Sequence, residues 1–298
     1  MSLATELKNI IKGDVFDDEK MLNDMSRDAS IFVVKPEVVV FPKDVDDVKT
    51  LVNFVSQKLK IKNQKSLSLT ARSAGTDMTG GPLSESIVVN FTRYFTHFKM
   101  VDGNSASVEP GLYYREFERE VLRYGLLFPP YPASKSICSM GGIVNNNSGG
   151  EKTLKYGKTE AFVEGIKMVL SDGNEYTLHA LDKRGLEAKM KLKNFEGELY
   201  RKMYKLITKN SKLIANAKPD VTKNSAGYLL WNVWKKDDRV FDLSQVFVGA
   251  QGTLGLMTEA TLRLVPIIKH ARMLVIFLND VKKLKDLIPV ILKYNPES

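Results

Sequence analysis

Two loops rich in glycine, hydroxyls and amides, RSAGTDMTGG at Arg72 to Gly81 and SMGGIVNNNSGG at Ser139 to Gly150, constrain what this 298-residue chain can fold into. Glycine lets backbone N–H groups crowd against an anion, so two such loops call for a scaffold that grips one large phosphate-bearing ligand from both sides. The first loop lies between the apolar runs LSLTA and IVVN, which read as two short buried strands. Upstream, VVVFPKDVDDVKTLVNFVSQKLK reads as a strand, a turn with Pro42 and a helix capped by Asp44. The apolar face of that helix carries Val45, Val48, Leu51, Val52, Val55 and Leu59. The result is a β–α–β opening with a loop at the carboxyl end of a strand, where open α/β sheets receive ligands.

After Asn90 the pattern changes. SASVEPG reads as a strand, YYREFEREVLRYG as a helix stopped by Gly125, and FPPYPAS as a stiff extended arm leading into the second loop. GIKMVLSDGNEYTL is a hairpin signal around Ser-Asp-Gly-Asn, and residues from about Leu181 to Ala217 are helical. QVFVG and LMTEATLRLVP are expected as returning strands. ARMLVIFLND and VKKLKDLIPVILKYNPES are expected as one strand and one helix, with Asp280 as N-cap and a kink at Pro289. The predicted organisation is a helical segment over 1–30, a main unit over 31–266 divided near residue 100 (31–100 and 101–266), and an incomplete further domain over 267–298.

Composition excludes several classes. The 43% hydrophobic content is that of a globular chain, and the single Cys138 rules out an intramolecular disulfide framework. His97, His179 and His270 are far apart, so no metal site is expected. MSLATELKNIIKGDVF does not read as a secretion signal, no apolar run is long enough to span a bilayer, and a reducing cytoplasm fits. Much of the net charge of +9 lies between Lys183 and Lys218, on Lys189, Lys191, Lys193, Arg201, Lys202, Lys205, Lys209 and Lys212. A solvated helical face is the plain reading of such a run. No helix-turn-helix or zinc-finger spacing appears, which argues against nucleic acid, while contact with a membrane surface or a partner subunit stays open.

The loops carry the chemistry. In the first, Thr76, Asp77 and Thr79 add hydrogen-bonding groups to a glycine turn; in the second, Asn145, Asn146 and Asn147 follow Gly141 and Gly142. A P-loop fails because Glu151 interrupts SGGEKT, and a Rossmann fingerprint fails because GAQGTLG at Gly249 continues into another strand.

Together the segments resemble the FAD-binding oxidoreductases of the PCMH type, the vanillyl-alcohol oxidase superfamily. VVVFPKDVDDVKTLV is similar to that family's opening unit, RSAGTDMTGG to its pyrophosphate loop, and FPPYPASKSICSMGGIVNNNSGG to its second flavin segment. LKYGKTEAFVEGIKMVLSDG, KNSAGYLL and VFVGAQGTLGLMTEATLRLVP resemble the later segments, in the expected order from Val38 to Pro266. The branch they most resemble contains D-lactate dehydrogenase, the glycolate oxidase flavoprotein subunit and D-2-hydroxyglutarate dehydrogenase.

The resemblance implies an α+β fold of two subdomains with FAD between them, followed by the start of a truncated substrate domain. It implies that Arg72, Ser73, Ala74, Gly75, Thr76 and Asp77 form the pyrophosphate loop, and that Pro132, Ser134, Met140, Gly141, Gly142, Asn147, Ser148 and Gly150 line the flavin and ribityl path. Tyr156, Gly157 and Ile166 match positions near the cofactor, and Gln251 stands where the family usually has glutamate. Thr76 replaces the histidine of members that attach flavin covalently, so noncovalent FAD is expected, with Cys138 a buried packing residue. The implied reaction is oxidation of a small 2-hydroxy acid by hydride transfer to flavin N5, to an acceptor the sequence does not name. Family substrate groups belong to the following domain, so only Lys223 and Tyr228 are local catalytic candidates. The alternative is a flavin-binding module or subunit without substrate oxidation of its own.

Overall fold

The computed structural model describes residues 2–61, 66–221, 223–235, 239–268 and 270–297. The chain opens with α1 (Leu3–Lys8), β1 (Asp14–Phe16) and α2 (Glu19–Met25), so a segment expected as helical also contributes a strand. There follow β2 (Val38–Phe41), α3 (Val45–Lys58), β3 (Leu69–Arg72) and β4 (Ile87–Asn90). α3 begins where the Asp44 side chain accepts the Asp47 N–H, and its buried Val48, Leu51 and Val55 recur on one face. The four strands form a sheet in the order β1-β2-β4-β3, with β2, β4 and β3 parallel and β1 antiparallel on the β2 edge. The loop RSAGTDMTGG therefore leaves the carboxyl end of β3 and returns to its neighbour β4.

Polar side chains fasten the short β1 where strand propensity alone would not. The buried Asp47 carboxylate accepts the N–H groups of Lys12, Gly13 and Lys43, each at 2.9 Å. Asp14 accepts from Arg93 Nη1 at 2.6 Å and the Tyr94 hydroxyl at 2.7 Å.

The rest of the chain supplies β5 (Phe98–Met100), β6 (Ser105–Val108), α4 (Tyr114–Leu122), β7 (Leu126–Leu127), α5 (Met140–Asn145), α6 (Thr153–Tyr156), β8 (Val163–Val169) and β9 (Glu175–Leu181). Then come α7 (Lys183–Lys191), α8 (Phe195–Lys209), α9 (Ser211–Ala217), β10 (Trp234–Lys235), β11 (Val240–Asp242), α10 (Ser244–Phe247), β12 (Leu256–Arg263), β13 (Val265–Pro266) and α11 (Leu284–Leu292). Seven of the strands form an antiparallel sheet in the order β10-β11-β9-β8-β12-β6-β5. Its core includes an edge-to-face aromatic chain, Phe117 to Phe128 to Phe162, with centroids about 6 Å apart at each step. The two sheets meet along a seam: Val169 and Leu256, from β8 and β12, pack in one cluster with Val48, Leu51 and Val55 of α3. The fold is thus α+β, a mostly parallel sheet joined to an antiparallel one.

Two expected strands are corrected. The first three residues of QVFVG lie in the helical turn α10, entered where Asp242 Oδ1 accepts the Ser244 N–H at 3.1 Å and its hydroxyl at 2.5 Å. A run buried on every side carries no periodicity to separate strand from helix. ARMLVIFLND forms no ladder among the described residues, and Met273 and Phe277 are 87% and 92% exposed. A strand needs a neighbour to receive its N–H and C=O groups, and none pairs with this run among the described residues. Asp280 does cap, accepting the Lys282 N–H at the 3-10 turn before α11, which contains Pro289.

Candidate functional site

The first loop is shaped from behind. Arg72, 7% exposed at the end of β3, donates through Nη1 to the Met25 carbonyl at 3.3 Å and through Nη2 to the Arg27 carbonyl at 2.6 Å. Burial lowers its pKa, with Asp28 nearby opposing the shift. Gly75 lies against this guanidinium with φ +69°, a left-handed conformation that glycine adopts without penalty. The Asp77 carboxylate turns into its own loop, accepting from Thr79 Oγ1 at 2.6 Å and the Gly81 N–H at 2.8 Å, while its carbonyl accepts the Ala29 N–H at 3.0 Å.

The second loop touches the first directly. Ser139, the residue before α5, accepts the Ala74 N–H on its hydroxyl at 3.0 Å. The Pro110 carbonyl accepts both the Ser73 hydroxyl at 3.1 Å and the Gly141 N–H at 2.9 Å. A third segment closes the back: Gln251, at φ +57°, donates its N–H to the Asn145 carbonyl at 2.9 Å and its Nε2 to Asn146 Oδ1 at 3.1 Å.

These three segments enclose an open cleft with an empty volume of about 760 Å³, solvent at its mouth included. Ser73, Ala74, Gly75, Thr76, Asp77, Pro132, Ser134, Gly141, Gly142, Ser148 and Gln251, all singled out in the sequence, line it together. Arg72, Met140, Asn147, Gly150, Tyr156, Gly157 and Ile166 do not. Arg72 braces the first loop as above, and Met140 is wholly buried. Asn147, at φ +46°, is tied to Glu160 by a hydrogen bond from its Nδ2 to the carboxylate and by its Oδ1 accepting the Glu160 N–H at 3.0 Å. Gly150 lies so close to the Tyr131 carbonyl that no β-carbon fits, Tyr156 packs at the edge of the core, and Ile166 pairs within β8 between β9 and β12.

Gly157 borders a second hollow with Lys158, whose buried ammonium donates to the Asn224 carbonyl and to Ser225 Oγ. Burial lowers the Lys158 pKa. Lys223 is exposed, and Tyr228 shares a 2.9 Å hydrogen bond with Thr253 Oγ1, next to the cleft residue Gly252. Cys138 is 3% exposed in the cleft wall, with its thiol pushed up to about 11 by burial. Ser139, Pro82, Ile143 and Gly252 also line the cleft and were not singled out. Ser139 had a signal, a hydroxyl immediately before a Met-Gly-Gly helix start.

The donor set fits an anionic cofactor. Among the described residues no acceptor receives the N–H groups of Gly75, Thr76, Asp77 or Gly142. A β-carbon on Gly142 would meet nothing within 4 Å, so the cleft is open there to close backbone approach. The one carboxylate in the lining among the described residues, Asp77, is occupied by Thr79 and Gly81. No lysine, arginine or histidine lines the cleft, and no metal-binding cluster occurs among the described residues.

Residues 36–179 of the chain match the family described as FAD binding domain. Several relatives of the chain are named for enzymes of 2-hydroxy acids. The chain is 28% identical over 251 residues to D-2-hydroxyglutarate dehydrogenase of Escherichia coli (strain K12), covering 84% of this chain and 24% of that protein. It is 29% identical to glycolate oxidase subunit GlcD of Bacillus subtilis (strain 168), covering 78% and 37%, and 28% identical to D-lactate dehydrogenase of Archaeoglobus fulgidus, covering 80% and 41%. The chain therefore spans about a quarter of the first relative and under half of the other two. Among solved structures, alkyldihydroxyacetonephosphate synthase (TM-score 0.58, 18% identity, 89% of this chain and 40% of that one) shares the fold. So does 6-hydroxy-D-nicotine oxidase from Arthrobacter nicotinovorans (TM-score 0.58, 17% identity, 89% and 44%).

Proposed function

We propose that the cleft holds FAD without a covalent bond and that the chain is the cofactor-holding part of an oxidoreductase acting on a small 2-hydroxy acid of the D-lactate, glycolate or D-2-hydroxyglutarate type. The observation that carries this reading is the junction of the two loops, where Gly75, Thr76, Asp77 and Gly142 present N–H groups with no protein acceptor among the described residues. Those groups would hold the pyrophosphate, while Pro132, Ser134, Ser139, Ser148 and Gln251 would flank the rest of the cofactor. Thr76 carries neither an imidazole nor a thiol for flavin attachment, and the raised pKa of the buried Cys138 keeps its sulfur as a thiol. A bound flavin supplies the electron chemistry by accepting a hydride, and the protein binds and orients.

The cleft lining favours a second reading beside the first. Among the described residues it contains no cation to receive a substrate carboxylate. Residues 31–266 would then furnish the flavin, while substrate recognition comes from other residues of the enzyme or from a partner subunit. On either reading the protein works in the cytoplasm, with no role for nucleic acid. Among the described residues no helix is long and apolar enough to cross a membrane.

The test is direct. Purified protein should be yellow and should release intact FAD on acid treatment. A colourless protein that takes up no added FAD would sink the cofactor reading. Anaerobic bleaching by a panel of D- and L-2-hydroxy acids separates the two readings, since rapid reduction by one acid shows that the chain is competent alone.

A further inference from the structure

The charge of this protein is not spread over its surface. Between Lys189 and Lys218 stand nine lysines and arginines against two glutamates, so this stretch carries seven of the nine net positive charges. α8 turns one face inward, burying Tyr200 and Ile207, while Tyr204 packs on Trp234 and Phe241. On the opposite face, helical periodicity of 3.6 residues per turn brings Lys202, Lys205, Leu206 and Lys209 within one narrow sector, all exposed. Lys212 and Leu213 continue the pattern at the start of α9.

Two features separate this face from an ordinary solvated one. Lys202 pairs with Glu198 at 2.6 Å, but Lys205, Lys209 and Lys212 have no carboxylate partner among the described residues. Between them Leu206 and Leu213 stand 43% and 69% exposed, although helices ordinarily keep leucine for the inward face. Uncompensated ammonium groups flanking protruding leucines suit an interface that is anionic at the surface and apolar just below it. The stripe has no exposed aromatic ring to stack on a base, which disfavours single-stranded nucleic acid.

We propose that the exposed face of α8 and the start of α9 docks on an anionic lipid bilayer, with Lys205, Lys209 and Lys212 meeting headgroups and Leu206 and Leu213 entering the boundary beneath them. This surface is separate from the cofactor cleft, whose lining takes nothing from these helices. The proposal stands whether or not the flavin reading holds.

The experiment is cosedimentation of the full chain with phosphatidylcholine vesicles prepared with and without phosphatidylserine, at low and high salt. Binding is expected only with phosphatidylserine and should fall as salt screens the charges. Lys205→Glu/Lys209→Glu/Lys212→Glu is expected to weaken it by at least about tenfold, as losing attraction at three lysines near an anionic surface requires. Leu206→Ser/Leu213→Ser should weaken it while leaving most of the salt dependence. A control with the same net charge, Lys20→Glu/Lys99→Glu/Lys285→Glu, should bind nearly as the parent does. The proposal is overturned if the parent ignores phosphatidylserine, if the control loses as much binding as the face variant, or if single-stranded RNA is retained where vesicles are not.

Discussion

The Arg72 guanidinium occupies the space where a side chain on Gly75 would begin: a β-carbon there would lie 2.8 Å from Cζ. The same guanidinium holds the carbonyls of Met25 and Arg27, so the loop's glycine and the N-terminal segment depend on one cation. Gly75→Ala should therefore cost about 1–2 kcal/mol from the left-handed backbone alone, and more from displacing Arg72. The expected outcome in a flavin fluorescence titration is FAD affinity reduced at least tenfold, about 1.4 kcal/mol or more. Unchanged affinity would show that this loop does not shape the site.

Adjacent glycines in the second loop should behave oppositely. A β-carbon on Gly141 would stand 2.5 Å from Ser73 Oγ and 2.8 Å from the Pro110 carbonyl, so Gly141→Ala should lower the urea midpoint. Gly142 has open space around it, and alanine in a helix gains about 0.5–1 kcal/mol over glycine. Gly142→Ala is expected to keep or raise stability yet weaken FAD binding, because its methyl group enters the cleft. A Gly142→Ala protein that binds FAD as tightly as the parent contradicts the proposed cofactor path.

Acid should loosen β1. Arg93 and Tyr94 hold the Asp14 carboxyl below its ordinary 3.8. A carboxyl with a depressed folded pKa stabilises fully above the unfolded value, and that contribution is lost as pH falls through the folded value. Asp14 is partly exposed, so the effect is modest. The expected result is that Asp14→Asn lies below the parent in stability near neutral pH and converges with it as pH falls below 3.8 and through the depressed folded value. Denaturant curves across that range check it; parallel curves at every pH would refute the linkage.

Cys138 gives a probe of the cleft wall. With its thiol near 11 and its side chain buried, native protein should resist iodoacetamide at pH 8, while urea-unfolded protein should take up one label. Rapid native labelling, read by mass spectrometry, would place the sulfur at an open surface. FAD should protect the native protein further if it covers this wall.

What could be read from the sequence follows the physics of local signals. The β–α–β opening was legible because Val48, Leu51 and Val55 repeat on one helix face and Asp44 caps it. The two loops were legible because glycine pairs and asparagine runs are unusual outside sites of close approach. What escaped were pairings at long range. Nothing in the sequence around Arg72 shows that its charge faces Met25 and Arg27 rather than a ligand, or that Asn147 answers Glu160. α10 escaped for another reason: Ser244 to Phe247 are all buried, so polarity gives no period to read. The run from Met273 to Leu278 has strand-like composition, but a strand is a property of two segments and composition reports on one.

The contact of Gln251 with Asn146 spans 105 residues, and with the Gln251 N–H on Asn145 it forms the back of the cleft. Synthesis runs from the N-terminus, so Arg72 and its brace are available long before that wall can exist. A nascent chain that has emerged only as far as the second loop has two of three sides. The cleft becomes complete only once Gly252 has left the ribosome, so a cofactor that needs all three sides is captured after that point and not before.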